Sequence, residues 1–165
     1  TPLALNCLSG LQSQAKKDSR AWTAVQQTIQ SEDPDVLLAT LDVINNLPET
    51  KNAVVANRLL DLISDVEDAD IMERSVLALG VCGEQTEPTV RALEKLFKSE
   101  KTEEATRIAA ALTLGKQAIS FPEGPRDMLG TCLKEGKSQS LKTACQLGLN
   151  ELNQGAAKET VSSTN

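Results

Sequence analysis

TRIAAALTLGK, residues 106–116, sets three consecutive alanines between an arginine and a Leu-Gly pair. MERSVLALGVCG, residues 72–83, carries a looser version of the same order. Aligning on the glycines extends the match: Gly80, Gly115 and Gly148 each follow a leucine and stand 35 and 33 residues apart. One more period back from Gly80 lies Asn45, preceded by Ile44. A self-match with a period of 20–50 residues is the mark of a stacked repeat. Because asparagine is the residue that best replaces glycine at a left-handed helix end, the anchors are expected to close helices.

The columns beside the anchors carry the packing. Four places before them stand Leu41, Val76, Ala111 and Ala144; five places before stand Thr40, Ser75, Ala110 and Thr143. The second column is small throughout, as suits a helix lying close against its neighbour, and the apolar spacing is that of an amphipathic helix. The alanines of residues 109–111 are therefore expected to be contact points for stacking.

A second periodic segment follows each anchor: NAVVANRLLDLIS from Asn52, TVRALEKLFKS from Thr89 and PRDMLGTCLKE from Pro125. AWTAVQQTIQ, from Ala21, reads as the second helix of an earlier pair whose first is PLALNCLSGL, with Trp22 in the core beside Val25 and Ile29. Asp33 before Pro34, Thr86 before Pro88 and the break FPEGP, residues 121–125, supply helix boundaries. The expected fold is all-α, a stack of four helical hairpins and a closing helix from about Ser138 to Leu152. Residues 1–152 form one domain. Residues 153–165 are polar, small and aperiodic and are expected to be a disordered tail.

SEDPDVLLATLDVINNL, DADIMERSVLALGVCG and EEATRIAAALTLG resemble HEAT repeats, in the short bacterial form also found in phycobilin lyases. The shared pattern is Asp-Pro-x-Val, then Arg, Ala-Ala and Leu-Gly, and it covers Ser31 to Leu152. Arg107 holds the family's arginine position, where the other copies have Leu37, Met72 and Ser140. The resemblance implies a right-handed α-α superhelix, a HEAT-like solenoid whose second helices line a concave face. It also implies an alternative function, that of a lyase-like or maturation subunit holding a bilin for attachment to a client.

Composition narrows the chemistry. The 165 residues hold 40% hydrophobic and 24% charged side chains, so the chain is globular, but only 2% are aromatic, which leaves an aliphatic core suited to helices. A net charge of −6 opposes a nucleic-acid surface, which needs a basic stripe. No apolar run is long enough to span a membrane. The chain opens at Thr1 rather than Met and is expected to be a processed piece. Histidine and tyrosine are both absent, which removes Ser-His and Cys-His pairs, histidine metal ligands and tyrosine acids. An enzyme is therefore not expected, nor a catalytic residue, cofactor or metal.

The remaining motifs give bland readings. GTCLKEGKS, residues 130–138, misses the phosphate-loop spacing and lies in helical sequence, with Gly136 expected as a left-handed helix end. Asp61, Asp65, Glu67, Asp68, Asp70 and Glu73 lack the glycine and final glutamate of a calcium loop and suit the start of a helix. Adjacent Glu103 and Glu104 face different sides of a helix. Cys7, Cys82, Cys132 and Cys145 sit among aliphatic residues without a CxxC pair. They read as reduced core thiols, hence a cytoplasmic location, with a disulfide or a metal site as alternatives.

What remains is a surface for a protein partner. If Val54, Leu59, Leu62 and Ile63 face inward, Arg58 and Asp61 face out. If Val90, Leu93, Leu96 and Phe97 do so, Arg91, Glu94, Lys95 and Lys98 are left outside. These six residues are the candidate mixed-charge ridge, for a scaffold, adaptor or chaperone; ordinary solubilising surface is the alternative.

Overall fold

The computed structural model describes the backbone of residues 19–162 and the side chains of residues 21–158. All regular structure among them is helical: α1 (Ser19–Thr28), α2 (Pro34–Asn45), α3 (Ala53–Asp65), α4 (Ala69–Cys82), α5 (Glu87–Lys98), α6 (Glu104–Gln117), α7 (Glu123–Glu135) and α8 (Gln139–Ser162). The helix expected over PLALNCLSGL, with Cys7, lies outside the described residues. No helix among the described residues is long and apolar enough to cross a membrane.

Helix starts follow the boundary residues. The Asp33 side chain accepts from the Asp35 amide ahead of Pro34, and this bond holds its carboxyl below the usual carboxylate range. Asn52 accepts from Val55, and Thr86 from Thr89 ahead of Pro88. Asp68 accepts from both Asp70 and Ile71, so the acidic stretch supplies the cap of α4, with Asp70 in its first turn. Each bond satisfies an amide that the helix itself cannot.

The described residues fall into two compact units, parted between Glu84 and Gln85. In the first, α4 packs on α2 and α3, and α1 on the same pair. Val25, Ile29, Leu41, Ile44, Leu59 and Leu79 are among its fully buried side chains. Asn45 donates from its amide to the Arg74 carbonyl at 3.2 Å, and Arg74 pairs with Asp42, so polar groups lock α2 to α4. The connecting loop is strapped to the end of α4, with the Thr50 and Asn52 amides donating to the Val81 and Cys82 carbonyls. Trp22, expected in the core, is half-buried beside the buried Ala21, Val25 and Ile29. Val54 departs from its expected inward place: it is 56% exposed, and the buried register of α3 runs Val55, Ala56, Leu59, Leu62, Ile63.

In the second unit α8 lies along α6 and α7, and α6 along α5. The anchor glycines explain the closeness of α6 and α8. A Cβ on Gly115 would stand 2.6 Å from the Gly148 carbonyl oxygen, and one on Gly148 would stand 2.3 Å from that of Ala111. Gly80 and Gly115 therefore do not end helices, contrary to the expectation from the Leu-Gly pattern, whereas Gly148 lies inside the closing helix as expected. Gly80, Gly115 and Gly148 lie within α4, α6 and α8, and among the described residues no glycine has a positive φ. Gly136 does close α7, but in an extended conformation, not a left-handed one. The column four before the anchors is buried in all four copies. The column five before is buried at Thr40, Ser75 and Ala110, whereas Thr143 is exposed.

Two further expectations are corrected here. Cys132 and Cys145 form a disulfide joining α7 to α8, their Cα atoms 6.3 Å apart. The bond sits in an apolar cluster with Ala111, Leu129, Leu141 and Ala144. Cys82 keeps the expected state of a buried free thiol, and burial pushes its pKa up to about 12.

The tail expected to be disordered from residue 153 instead continues α8 as far as Ser162. Gly155 lies so close to Ile119 that a Cβ there would stand 2.4 Å from Cδ1, and Asn153 accepts from Arg126 Nε at 3.0 Å. Helix-favouring alanines at 156 and 157 extend the helix without an apolar stripe. Deleting residues 153–165 is thus expected to lower the melting temperature by several degrees, read by circular dichroism. An unchanged melt would show that these contacts contribute nothing.

Candidate functional groove

α5 buries Thr89, Val90 and Leu93, and α7 buries Pro125, Leu129 and Cys132. Between them the two helices border two adjoining hollows that share Gly124. The larger, about 740 Å³, has Phe97 from α5, Met128 and Cys132 from α7 and Leu141 from α8 as its apolar wall. The disulfide therefore forms part of that wall. Its charged border comprises Lys98, Arg107 and Lys137 with Glu104, Asp127 and Glu135. Three cations and three acids balance, so the hollow offers local charge pairing without selecting a strongly acidic or basic ligand. Arg107 is half-buried and spends its Nε on the Thr102 carbonyl at 3.0 Å. This bond fixes the guanidinium at the edge of the groove.

The smaller hollow, about 470 Å³, is bordered by Arg91 and Glu94 of α5, Phe121 before α7, and Arg126. Phe121 is 41% exposed, an aromatic face open to solvent. Gly124 permits the close approach of Glu94, whose Oε1 lies 2.6 Å from where a Cβ would stand. Pro122, at the start of α7, provides no side-chain cap. The Glu94 carboxylate supplies the negative charge favoured at that helix end.

The six residues of the expected ridge thus have different tasks. Arg58 is half-buried, its Nε donating at 3.3 Å to the Ile29 carbonyl just beyond α1. Asp61 is exposed on α3. Arg91 pairs with Glu87 one turn away on its own helix, Glu94 serves the start of α7, and Lys95 is exposed and borders neither hollow. Lys98 alone of the six borders the larger hollow. Sequence reasoning missed Met128, Leu141 and Arg107, and placed Phe97 inside. The available signal was a partial one: Met128 stands beside Leu129 on a helix whose buried register runs through 125, 129 and 132, which leaves an apolar side chain to one side of the core.

Among the described residues no three histidine, cysteine, aspartate or glutamate side chains are grouped to hold a metal ion. No protein-family model matches the chain, and no curated protein matches it.

Proposed function

We propose that this chain is a non-catalytic protein-binding module of the HEAT-like kind, and that its partner lies along the groove between α5 and α7. The observation that carries the reading is the larger hollow. Its apolar wall of Phe97, Met128 and Leu141 is surrounded by Lys98, Glu104, Asp127, Glu135 and Lys137, none of which forms an ion pair among the described residues. An apolar centre with a polar rim is how protein interfaces are composed. The spare charges give a partner segment its register, and a large aliphatic or aromatic side chain of the partner would fill the hollow.

The volume also falls within the range of small-molecule sites. That favours, as the second reading, a maturation subunit holding a prosthetic group such as a bilin, which visible absorbance of the purified protein would reveal.

Affinity capture with the whole chain, followed by titration of the captured partner, tests the proposal. Met128→Glu places a charge on the apolar wall and is expected to weaken binding at least tenfold, about 1.4 kcal/mol, with helicity retained. Lys98→Glu is expected to slow association and alter its salt dependence, because rim charges act mainly on encounter. Full affinity in both variants would move the site off this groove.

A further inference from the structure

Thr143 and Leu147 hold, in α8, the places five and one before the anchor. In the other copies these places are Thr40 and Ile44, Ser75 and Leu79, and Ala110 and Leu114, and all six side chains are fully buried. In α8 Thr143 is exposed and Leu147 is 53% exposed. α8 already has its preceding neighbours, α6 and α7, against it. Those neighbours leave the stripe bare, whereas in α6, which has both α5 and α8 against it, the matching stripe is covered. By the same repeat logic, the bare stripe on α8 has the place of a surface that receives a further helix.

The chemistry of the stripe narrows the occupant. From Thr143 to Asn150 no residue is charged, in a chain whose charged share is 24%. The exposed members of that run are Thr143, Gln146, Leu147 and Asn150. Beside Leu147 a hollow of about 350 Å³ opens between α7 and α8, with Leu133 in its wall and Lys142 as the only charged residue lining it. Charge depletion around an exposed aliphatic side chain marks the centre of an interface, whereas a face meant for water carries mixed charge.

We propose that this face binds a second copy of the chain, α8 against α8 about a two-fold axis, each Leu147 entering the hollow beside the partner's Leu133. The face is self-complementary in the sense a two-fold contact demands, since it has both the projecting leucine and a hollow to receive one. The run Thr143–Asn150 itself adds no acidic group to the repulsion that a charge of −6 on each chain imposes, exposed Glu151 standing one turn beyond Leu147. The face is distinct from the α5–α7 groove, so it stands or falls separately from the proposed function.

Sedimentation velocity of the whole chain, from micromolar to millimolar concentration, tests this. The expected result is a monomer–dimer equilibrium that Leu147→Lys shifts at least tenfold toward monomer. Val54→Lys, an equally exposed apolar position on α3, should leave that equilibrium unchanged. A parent that stays monomeric throughout would overturn the proposal, as would an equal response of the two variants.

Discussion

Gly148→Ala is expected to destabilise the protein by about 2 kcal/mol, although alanine is the better helix former. The substitution gains roughly 1 kcal/mol in helix propensity. Its Cβ, however, would stand 2.3 Å from the Ala111 carbonyl oxygen and 3.1 Å from its carbon, and these backbone atoms cannot rotate aside. α6 and α8 must separate, opening the cluster around Ala111, Leu129 and Ala144; overpacking of this kind costs about 1–3 kcal/mol, here at or beyond the upper end. Gly130→Ala supplies the opposite sign. That glycine lies within α7 with nothing within 4 Å of an added Cβ, so the substitution should gain roughly 0.5–1 kcal/mol. Denaturant titration of both variants reads the pair. A stabilised Gly148→Ala would mean that the two helices do not touch at their anchors.

The second large effect belongs to the disulfide. Closing the chain between Cys132 and Cys145, 13 residues apart, removes conformational freedom from the unfolded state worth about 3 kcal/mol for a loop of this size. Cys132→Ala with Cys145→Ala should therefore lower stability by about 3 kcal/mol or more, since Cys145 is fully buried and also loses packing. A dithiol reductant should destabilise the parent by a comparable amount and leave the double variant unaffected. If the reductant has no effect on the parent's melt, the bond does not support the fold. The bond also removes the premise on which a reducing compartment was expected, because disulfides persist chiefly in oxidising surroundings.

Local signals were legible wherever a single helix decides the outcome. Asp33-Pro34 and Thr86 start helices as their side chains require, and Leu41, Val76, Ala111 and Ala144 are buried as their periodicity demands. What failed depends on the distance between helices. Leu114-Gly115 followed by Lys116 reads like a helix end, and only the approach of Gly148 reveals that the missing Cβ serves packing. Cys132 and Cys145 have no telling spacing; the way α7 and α8 lie together makes them partners. Polarity hid the final turns of α8, where single contacts at Asn153 and Gly155 replace an apolar stripe. The candidate groove was legible only along α5, at Arg91, Glu94 and Lys98, because the rest of its wall is assembled from α7 and α8.

Amide hydrogen exchange of the whole chain, alone and saturated with its captured partner, tests the groove most directly. The account predicts that protection on binding concentrates in Glu87–Lys98 and Glu123–Glu135, the two helices that border the groove, while α2 and α3 exchange as before. Protection confined to α2 and α3, or to the outer face of α8, would contradict it.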